Sequence, residues 1–392
     1  MNQKSWVILV PCKTYEEKEV CSAVKTGMKL LENENSLVGE DEKILLKVNL
    51  LISGASIEKA ITPHPAVFKG ITDYFQETGR RHLSYGDSPG LGSMETVAKD
   101  CGLYEMAERL GVQPADFESG IKIQYPDGIV AKEFMISKGV LDSDAIVNIC
   151  KMKTHALERI TGAVKISYGD IYGVAKKSGH VQYPNAERFA AMLTDLNRYV
   201  KPRFSIMDGI IAMEGNGPAS GNSVNMGVLL FSSDPVALDS VFCHLIYLDP
   251  QLVPTCTIGQ QFGLGNWQED SIEIDTPDGI LSMEEIVKRF GNPDFNVYRG
   301  KHRLHIGNSF ENMTHIFSSR PVINQAKCIH CGICVETCPV EGKALHFSNG
   351  RNNPPVHDYR KCIRCFCCQE MCPQHAIEVG HPWEKVLKMR HK

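Results

Sequence analysis

The chain lacks a strong excess of either charge and has no long apolar run. Its 392 residues hold 42 Lys/Arg against 46 Asp/Glu, a net charge of −4. A general nucleic-acid binder shows a pronounced basic excess, so that class is excluded. No uninterrupted apolar stretch approaches the roughly 18 residues of a membrane-spanning helix. The apolar run Trp6–Val10 is too short for the core of a secretory signal and is followed at once by Lys13, Glu16 and Glu17. We therefore expect a cytoplasmic protein that engages neither membrane nor nucleic acid. Several catalytic signatures are missing too. There is no G-x-G-x-x-G after the first strand-like run, no P-loop, no G-x-S-x-G and no H-E-x-x-H, which removes a standard dinucleotide fold and the commonest NTPase, esterase and metalloprotease sites.

Cysteine, by contrast, is abundant and uneven. Six of the 15 cysteines lie at positions 12, 21, 101, 150, 243 and 256, and nine fall between 328 and 372. In a cytoplasmic protein such a concentration points to metal or redox chemistry rather than disulfides. Charge divides in the same place. After residue 320 ten Lys/Arg face six Asp/Glu, giving +4, so the preceding part carries −8. That basic bias is too weak to imply nucleic acid.

Residues 328–339 read CIHCGICVETCP and residues 362–373 read CIRCFCCQEMCP. Both are C-x2-C-x2-C-x3-C-P, repeated 34 residues apart. Three thiolates at three-residue steps on a folded loop reach three corners of a cubane cluster, and in this doubled pattern the last cysteine of each run serves the other cluster. Cys328, Cys331, Cys334 and Cys372 are thus expected to hold one [4Fe–4S] cluster, and Cys362, Cys365, Cys368 and Cys338 the second. Structural zinc pairs one C-x2-C with a distant C-x2-C or His pair, which this repeat does not fit. Cys367 is left over as a packed or free thiol. Ile329, Ile333, Ile363 and Phe366 sit between ligands and are expected to shield the clusters. The stretch resembles the bacterial two-cluster ferredoxin, which implies a compact α+β unit transferring single electrons.

Upstream, strand-like and helical patterns alternate. WVILVPC, KILLKVNLL, HLSYGDS, AIVNICKMK, FSIMDGI and MGVLLFSSD read as strands. EEKEVCSAVKTGMKLL, PAVFKGITDYFQETG, METVAKDCGLYEMAERLG, ERFAAMLTDLNRYV and DPVALDSVFCHLIYL read as helices. This predicts an α/β body with a largely parallel sheet, built as one large sheet or two lobes. Pro126-Asp127-Gly128 marks a hairpin. The division expected is a body over 1–318, a ferredoxin module over 322–380 and a basic tail over 381–392, with the linker around Ser318-Ser319-Arg320-Pro321.

Ligands of open parallel sheets sit beyond the carboxyl ends of strands, and polar residues gather at those ends here. Lys47 and Asn49 close the second strand, with His64 opening the next helix. Asp87 and Ser88 end the third strand. Lys151, Lys153 and His155 end the fourth, with Lys165 and Tyr168 following. Asp208 ends the fifth, followed by Glu214 and Asn216. Taken singly, each is an ordinary turn or cap. Together they suggest a crevice for a small anionic molecule, with Lys151, Lys153 and Lys165 binding the anion and His155, or else His64, donating a proton. Asp87, Asp208 and Glu214 could alternatively hold a divalent metal. Asp234 and Asp239 read as helix caps.

The segments KVNL, TPHP, GDSPG, NICKMKTH with GAVKISYGDIYG, MDGI…EGNGP and SDPVALDSVFCHLIYLDP with FGLG resemble the family defined by domain of unknown function 362, several members of which carry a C-terminal two-cluster ferredoxin. The family's Lys-Asn pair is Lys165-Ile166 here. The resemblance implies the architecture and leaves three functions open. The first is an oxidoreductase in which two [4Fe–4S] clusters pass electrons to a small anionic or carbonyl substrate in the body, with a flavin or second metal an open question. The second is an electron carrier serving a redox partner protein. The third is a non-redox metal-dependent enzyme with structural or sensory clusters.

Overall fold

A computed structural model describes residues 4–33, 37–300 and 319–380. The tail expected at 381–392, and the residues just before Ser319, lie outside these. The body strands are β1 (Ser5–Pro11), β2 (Ile44–Val48), β3 (Leu83–Gly86), β4 (Gln113–Pro114), β5 (Gly120–Gln124), β6 (Glu133–Ser137), β7 (Ala145–His155), β8 (Arg159–Thr161), β9 (Phe204–Glu214), β10 (Asn222–Ser232), β11 (Ile272–Thr276) and β12 (Gly279–Leu281).

One ten-stranded sheet runs through the body in the order β12-β11-β1-β10-β9-β7-β2-β3-β4, with β8 paired to the end of β7. Of the two arrangements the length allowed, the body adopts the single sheet. From β9 through β7, β2 and β3 to β4 all neighbours are parallel, and β1 and β11 point the same way. β10, β12 and β8 run against them. The pair β5–β6 forms the expected hairpin outside the sheet.

Two helix layers flank the sheet. Glu17–Glu32 packs on Pro65–Glu77 and on β1 and β10, and Ala186–Val200 packs with Pro254–Gln261, which in turn meets Pro235–Leu245 on β1, β9 and β10. The helix expected over METVAKDCGLYEMAERLG is two, Met94–Asp100 and Leu103–Leu110, because Gly102 turns left-handed between them. Asp234 caps Pro235–Leu245 through Val236 and Ala237 N–H. Asp239 serves a different element: from inside that helix it accepts from Ala163 and Val164 N–H.

The C-terminal module contains β13 (Arg320–Ile323) paired with β16 (Ile377–Gly380), and β14 (Leu345–His346) paired with β15 (Val356–His357), all antiparallel, with one-turn helices at Ile333–Glu336 and Cys367–Glu370. The sequence repeat is also a backbone repeat. His330 and Gly332 in the first run, and Arg364 and Phe366 at the matching places in the second, all have positive φ. Left-handed residues between the cysteines curl each loop round its own sulfurs. The crossing cysteines match as well: Cys338 Sγ accepts from Ala344 N–H at 3.4 Å and Cys372 Sγ from Ala376 N–H at 3.3 Å.

Candidate functional site

Strand β7 sets the problem. All 11 of its residues are buried, although it carries Asn148, Lys151, Lys153 and His155. Buried charge is tolerated only when paired or neutralised, and the protein treats its amines differently.

Lys151 is spent within the body. Register places it beside Asp208 on β9. Its Nζ is 2.7 Å from Asp208 Oδ2 and 2.8 Å from the Tyr15 hydroxyl, which itself donates to Asp208 at 2.9 Å. His64 N–H and Ile210 N–H complete the carboxylate's partners. The His64 ring stacks on Tyr15 at 3.9 Å and its Nδ1 accepts from Ala66 N–H, so it caps Pro65–Glu77. Lys47 is spent likewise. Its Nζ lies 2.9 Å from Asp87 Oδ1 and 4.0 Å from Asp170 Oδ1, and it donates to Ile166 O. Asp87 Oδ2 also takes Leu50 N–H. A Cβ on Gly169 would collide with both Asp87 and Lys47, so the backbone must pass here without a side chain. Asn49 and Ser88 are buried beside this pair, and Ser88 O receives Lys176 Nζ.

Lys153, His155 and Lys165 have no body carboxylate of this kind. Lys153 Nζ, fully buried, donates to Ile61 O at 2.6 Å, and burial followed by the charge of Lys165 pushes it down to about 7. His155 Nδ1 accepts from Leu157 and Glu158 N–H at 3.1 Å, which puts its proton on Nε2. That nitrogen lies 3.1 Å from Oε1 of Glu370, in the second cysteine run. Burial, then Lys165, pushes His155 down to about 4, so it is a neutral imidazole set against a carboxylate rather than the near-neutral acid expected from its type. Burial works against ionisation of Glu370, but His155 and Lys165 hold it below the usual carboxylate range. Lys165 Nζ sits over the Tyr168 ring at 5.7 Å, with Lys176 Nζ at 6.0 Å and His180 edge-on at 5.5 Å. Cys367, Glu370 and Cys365 are the titratable neighbours of Tyr168 from the module. Burial pushes Lys176 down to about 7 and His180 to about 4, and raises Glu158, whose two buried oxygens lack hydrogen-bond partners. Lys165, Lys176 and Cys367 are set deep in the protein yet keep partial exposure. Tyr168 is thus approached by Lys165 and Lys176 from the body and by Cys367 from the module.

The module docks through its second run. Gln369 Nε2 donates to Asn216 O at 2.9 Å and to Gly217 O at 3.3 Å, Asn216 Nδ2 donates to Ile377 O at 2.9 Å, and His375 bridges Ser220 and Lys59. Met371 joins Ile52, Ala55, Ile61 and Met213, its methyl 2.6 Å from where a Cβ on Gly90 would lie. Phe366, expected to shield a cluster, is part of the body's own core.

The remaining sequence candidates do not converge. Asn216 holds the module. Asp87, Asp208 and Glu214, proposed as an alternative metal set, are each engaged elsewhere, Glu214 by Asn296 N–H at 2.7 Å. Among the described residues no three His, Cys, Asp or Glu side chains gather on one ion. The cysteines instead ring a volume: Cys328, Cys331, Cys334 and Cys372 line one small pocket. On the other side Cys365, Cys362, Cys334 and Cys338 all neighbour Cys368. Four donors around a space, rather than on a point, fit a cubane better than a single ion.

Sequence reasoning missed Glu370, Lys176, His180, Glu158 and the docking role of the second run. A signal was present in the repeat. Where the first run has Gly332, Ile333, Val335 and Thr337, the second has Phe366, Cys367, Gln369 and Met371, the residues that face the body.

Residues 44–244 match the family model described as a domain of unknown function (DUF362), and residues 320–373 match a 4Fe-4S dicluster domain. A thylakoid-associated protein of Synechocystis sp. is 32% identical over 259 residues, 66% of this chain and 79% of that protein. Among solved structures, the lactate racemase apoprotein from Thermoanaerobacterium thermosaccharolyticum superposes with a TM-score of 0.39 at 13% identity over 59% of this chain. A Thermotoga maritima protein does so with 0.36 at 14% identity over 62% of this chain. This chain spans 55% and 59% of those two structures' lengths. No described helix is long and apolar enough to cross a membrane.

Proposed function

The chain belongs to the DUF362 family and is an iron–sulfur protein with a 4Fe-4S dicluster domain; from that premise we propose that it is an oxidoreductase acting on a small anionic or carbonyl substrate held where body and module meet. In this reading Cys328, Cys331, Cys334 and Cys372 hold one [4Fe–4S] cluster, and Cys362, Cys365, Cys368 and Cys338 the other. When bound, the two clusters supply one electron each. The observation that carries the proposal is the placement of the second cysteine run, whose Glu370 lies 3.1 Å from His155 and is held ionised in part by Lys165.

The residues then divide the work. Lys165 binds the anionic group. Lys153, held near neutrality, and His155, with its proton fixed on Nε2, keep protons at the reacting end. Phe366, Met371 and the Gln369 contacts exclude water along the junction. A redox partner protein supplies electrons at the opposite end of the module, where Ile329, between two ligands of the first run, is 60% exposed. The reading keeps the protein in the cytoplasm, with the relative's thylakoid association taken as attachment at a membrane surface.

The test uses anaerobically loaded, pre-reduced protein mixed with a panel of small 2-oxo acids, aldehydes and carboxylates, following cluster absorbance. At least one acceptor is expected to reoxidise the wild type, and Lys165→Met to slow it by about tenfold or more while leaving reoxidation by a viologen dye unchanged. If no acceptor works, or Lys165→Met has no effect, the protein is an electron carrier instead.

A further inference from the structure

The 34-residue repeat extends upstream of the cysteines. Ile323 stands five residues before Cys328 and His357 five before Cys362, so the two positions are equivalent. The backbone agrees. Ile323 ends β13, which pairs with β16 after the second run, and His357 ends β15, which pairs with β14 after the first. Each lies against its own set of sulfurs. Ile323 lines the pocket ringed by Cys328, Cys331, Cys334 and Cys372. His357 Nε2 lies 3.8 Å from Cys368 Sγ, and Cys368 is the repeat equivalent of Cys334. One set of ligands therefore meets an apolar side chain where the other meets a ring nitrogen.

The imidazole is held in place. It stacks on Tyr359 at 5.3 Å with 6° between the planes. The Tyr359 hydroxyl donates to Pro321 O at 2.8 Å, and the Arg320 guanidinium lies over the Tyr359 ring at 4.5 Å. A second basic group follows the same asymmetry. Arg364 is 9% exposed and neighbours Cys362, whereas its equivalent, His330, is turned to Arg351 O at 3.0 Å. A thiolate accepts and cannot donate, so the nitrogen facing it in the loaded protein carries a hydrogen. Reduction makes a thiolate-bound cluster more negative, and an N–H aimed at a ligand sulfur stabilises that charge. Burial opposes it. Cys338, Cys365 and Cys368 of the second set are buried, against Cys334 and Cys372 of the first. By burial alone, the set against the body would accept an electron less readily than the outer one.

We infer that His357 donates a hydrogen bond from Nε2 to Cys368 Sγ in the cluster-loaded protein and thereby raises the reduction potential of the second cluster, the one against the body. This rests on the ligand sets proposed above and is independent of the substrate. One electron enters from an external reductant, no covalent bond forms or breaks, and the imidazole keeps its proton.

The experiment uses the full chain with both clusters, titrated anaerobically with dithionite and redox mediators. Midpoints are read from the paramagnetic signals of wild type, His357→Leu and His357→Gln, and iron is counted in each. His357→Leu should lower one midpoint by about 59 mV, a tenfold loss in the one-electron equilibrium constant, and leave the other in place. His357→Gln keeps an N–H at similar reach and should recover most of that fall. With isotope-labelled histidine, electron–nuclear double resonance of the reduced protein should show a histidine nitrogen and an exchangeable proton coupled to one cluster, both lost in His357→Leu. An unmoved midpoint in His357→Leu overturns the inference. So does an equal fall in both variants, which would make the imidazole a packing group. If His357→Leu loses iron, the wild-type coupling decides, and its absence overturns the inference. About four irons per wild-type chain instead of about eight removes the ligand sets and the inference together. The expected shifts with no acceptor able to reoxidise the protein leave the inference standing and remove the oxidoreductase reading.

Discussion

Asp208→Asn separates structure from catalysis in the crevice. Asp208 and Lys151 are both buried to within 1%, with Nζ and Oδ2 2.7 Å apart. The carboxylate also accepts from the Tyr15 hydroxyl at 2.9 Å and from His64 and Ile210 N–H at 2.9 and 3.2 Å. Asparagine keeps the shape and one acceptor but removes the charge and turns an NH2 toward groups that already donate. Lys151 is left buried without a counter-ion, a loss of about 3–5 kcal/mol by the behaviour of broken buried pairs. At roughly 2 °C per kcal/mol for a domain of this size, the thermal midpoint of the cluster-loaded protein should fall by about 6–10 °C, with iron content unchanged. The double variant Lys151→Met with Asp208→Leu should recover most of that, since a matched apolar pair pays no desolvation. The reasoning is refuted if Asp208→Asn melts within about 1 °C of wild type, or if the double variant is as unstable as the single.

Other consequences can be measured alongside. Gly169→Ala forces a methyl into the Lys47–Asp87 pair and should lower the thermal midpoint by a similar amount, about 3–5 kcal/mol; an unchanged midpoint would mean the backbone has room the structure does not show. Cys331→Ala should reduce iron from about eight to about four per chain and leave one cluster's paramagnetic signal, whereas full iron retention would contradict the ligand sets. Gln369→Ala removes the donor to Asn216 and Gly217 and should cost about 1–2 kcal/mol of docking, seen as faster amide exchange at Ile377 and Asn216 with none in β2. Lys153 is held down to about 7 by burial. Between about pH 7 and the ordinary lysine value near ~10.4, the unfolded chain therefore carries a proton that the folded chain has lost. Wild-type stability rises with pH across that window, and Lys153→Met should lack that rise. Parallel stability profiles for the two proteins would show that Lys153 stays charged.

Much of the fold was legible because its signals are local. The strand runs of β1, β2, β3, β7, β9 and β10 and the cysteine repeat each announce themselves within a dozen residues. His64 and Asp234 were readable as caps for the same reason: a cap is satisfied by the next two or three N–H groups. Function was less legible because partners are chosen at long range. Nothing near Lys151 says that its counter-ion is Asp208, 57 residues away and one strand over, or that Tyr15 closes the group. Lys47, Asp87, Lys151 and Asp208 looked like site residues because lysine at a strand end is unusual, yet each solves the cost of its own burial. Asn216 looked like a loop ligand and is a docking contact.

How the lysines are neutralised bears on whether the module is a carrier attached to an enzyme or a part of the site. Lys47 and Lys151 have carboxylates from the body, on neighbouring strands or the loops after them. His155 has its carboxylate, Glu370, from the module, and Lys165 acts on that same carboxylate at longer range. The equivalent of Glu370 in the first run, Glu336, is exposed and faces Arg351 of the module itself, so the cysteine fold does not dictate where Glu370 goes; the body does. Without the module, Lys153, Lys165 and Lys176 would have only the body carboxylates Asp87, Asp170 and Glu158 in electrostatic reach. A pure carrier has no reason to complete the charge balance of a crevice it merely adjoins. The proposed site would have its last carboxylate and a cluster ligand on one short turn, Cys365 to Glu370, of the second run.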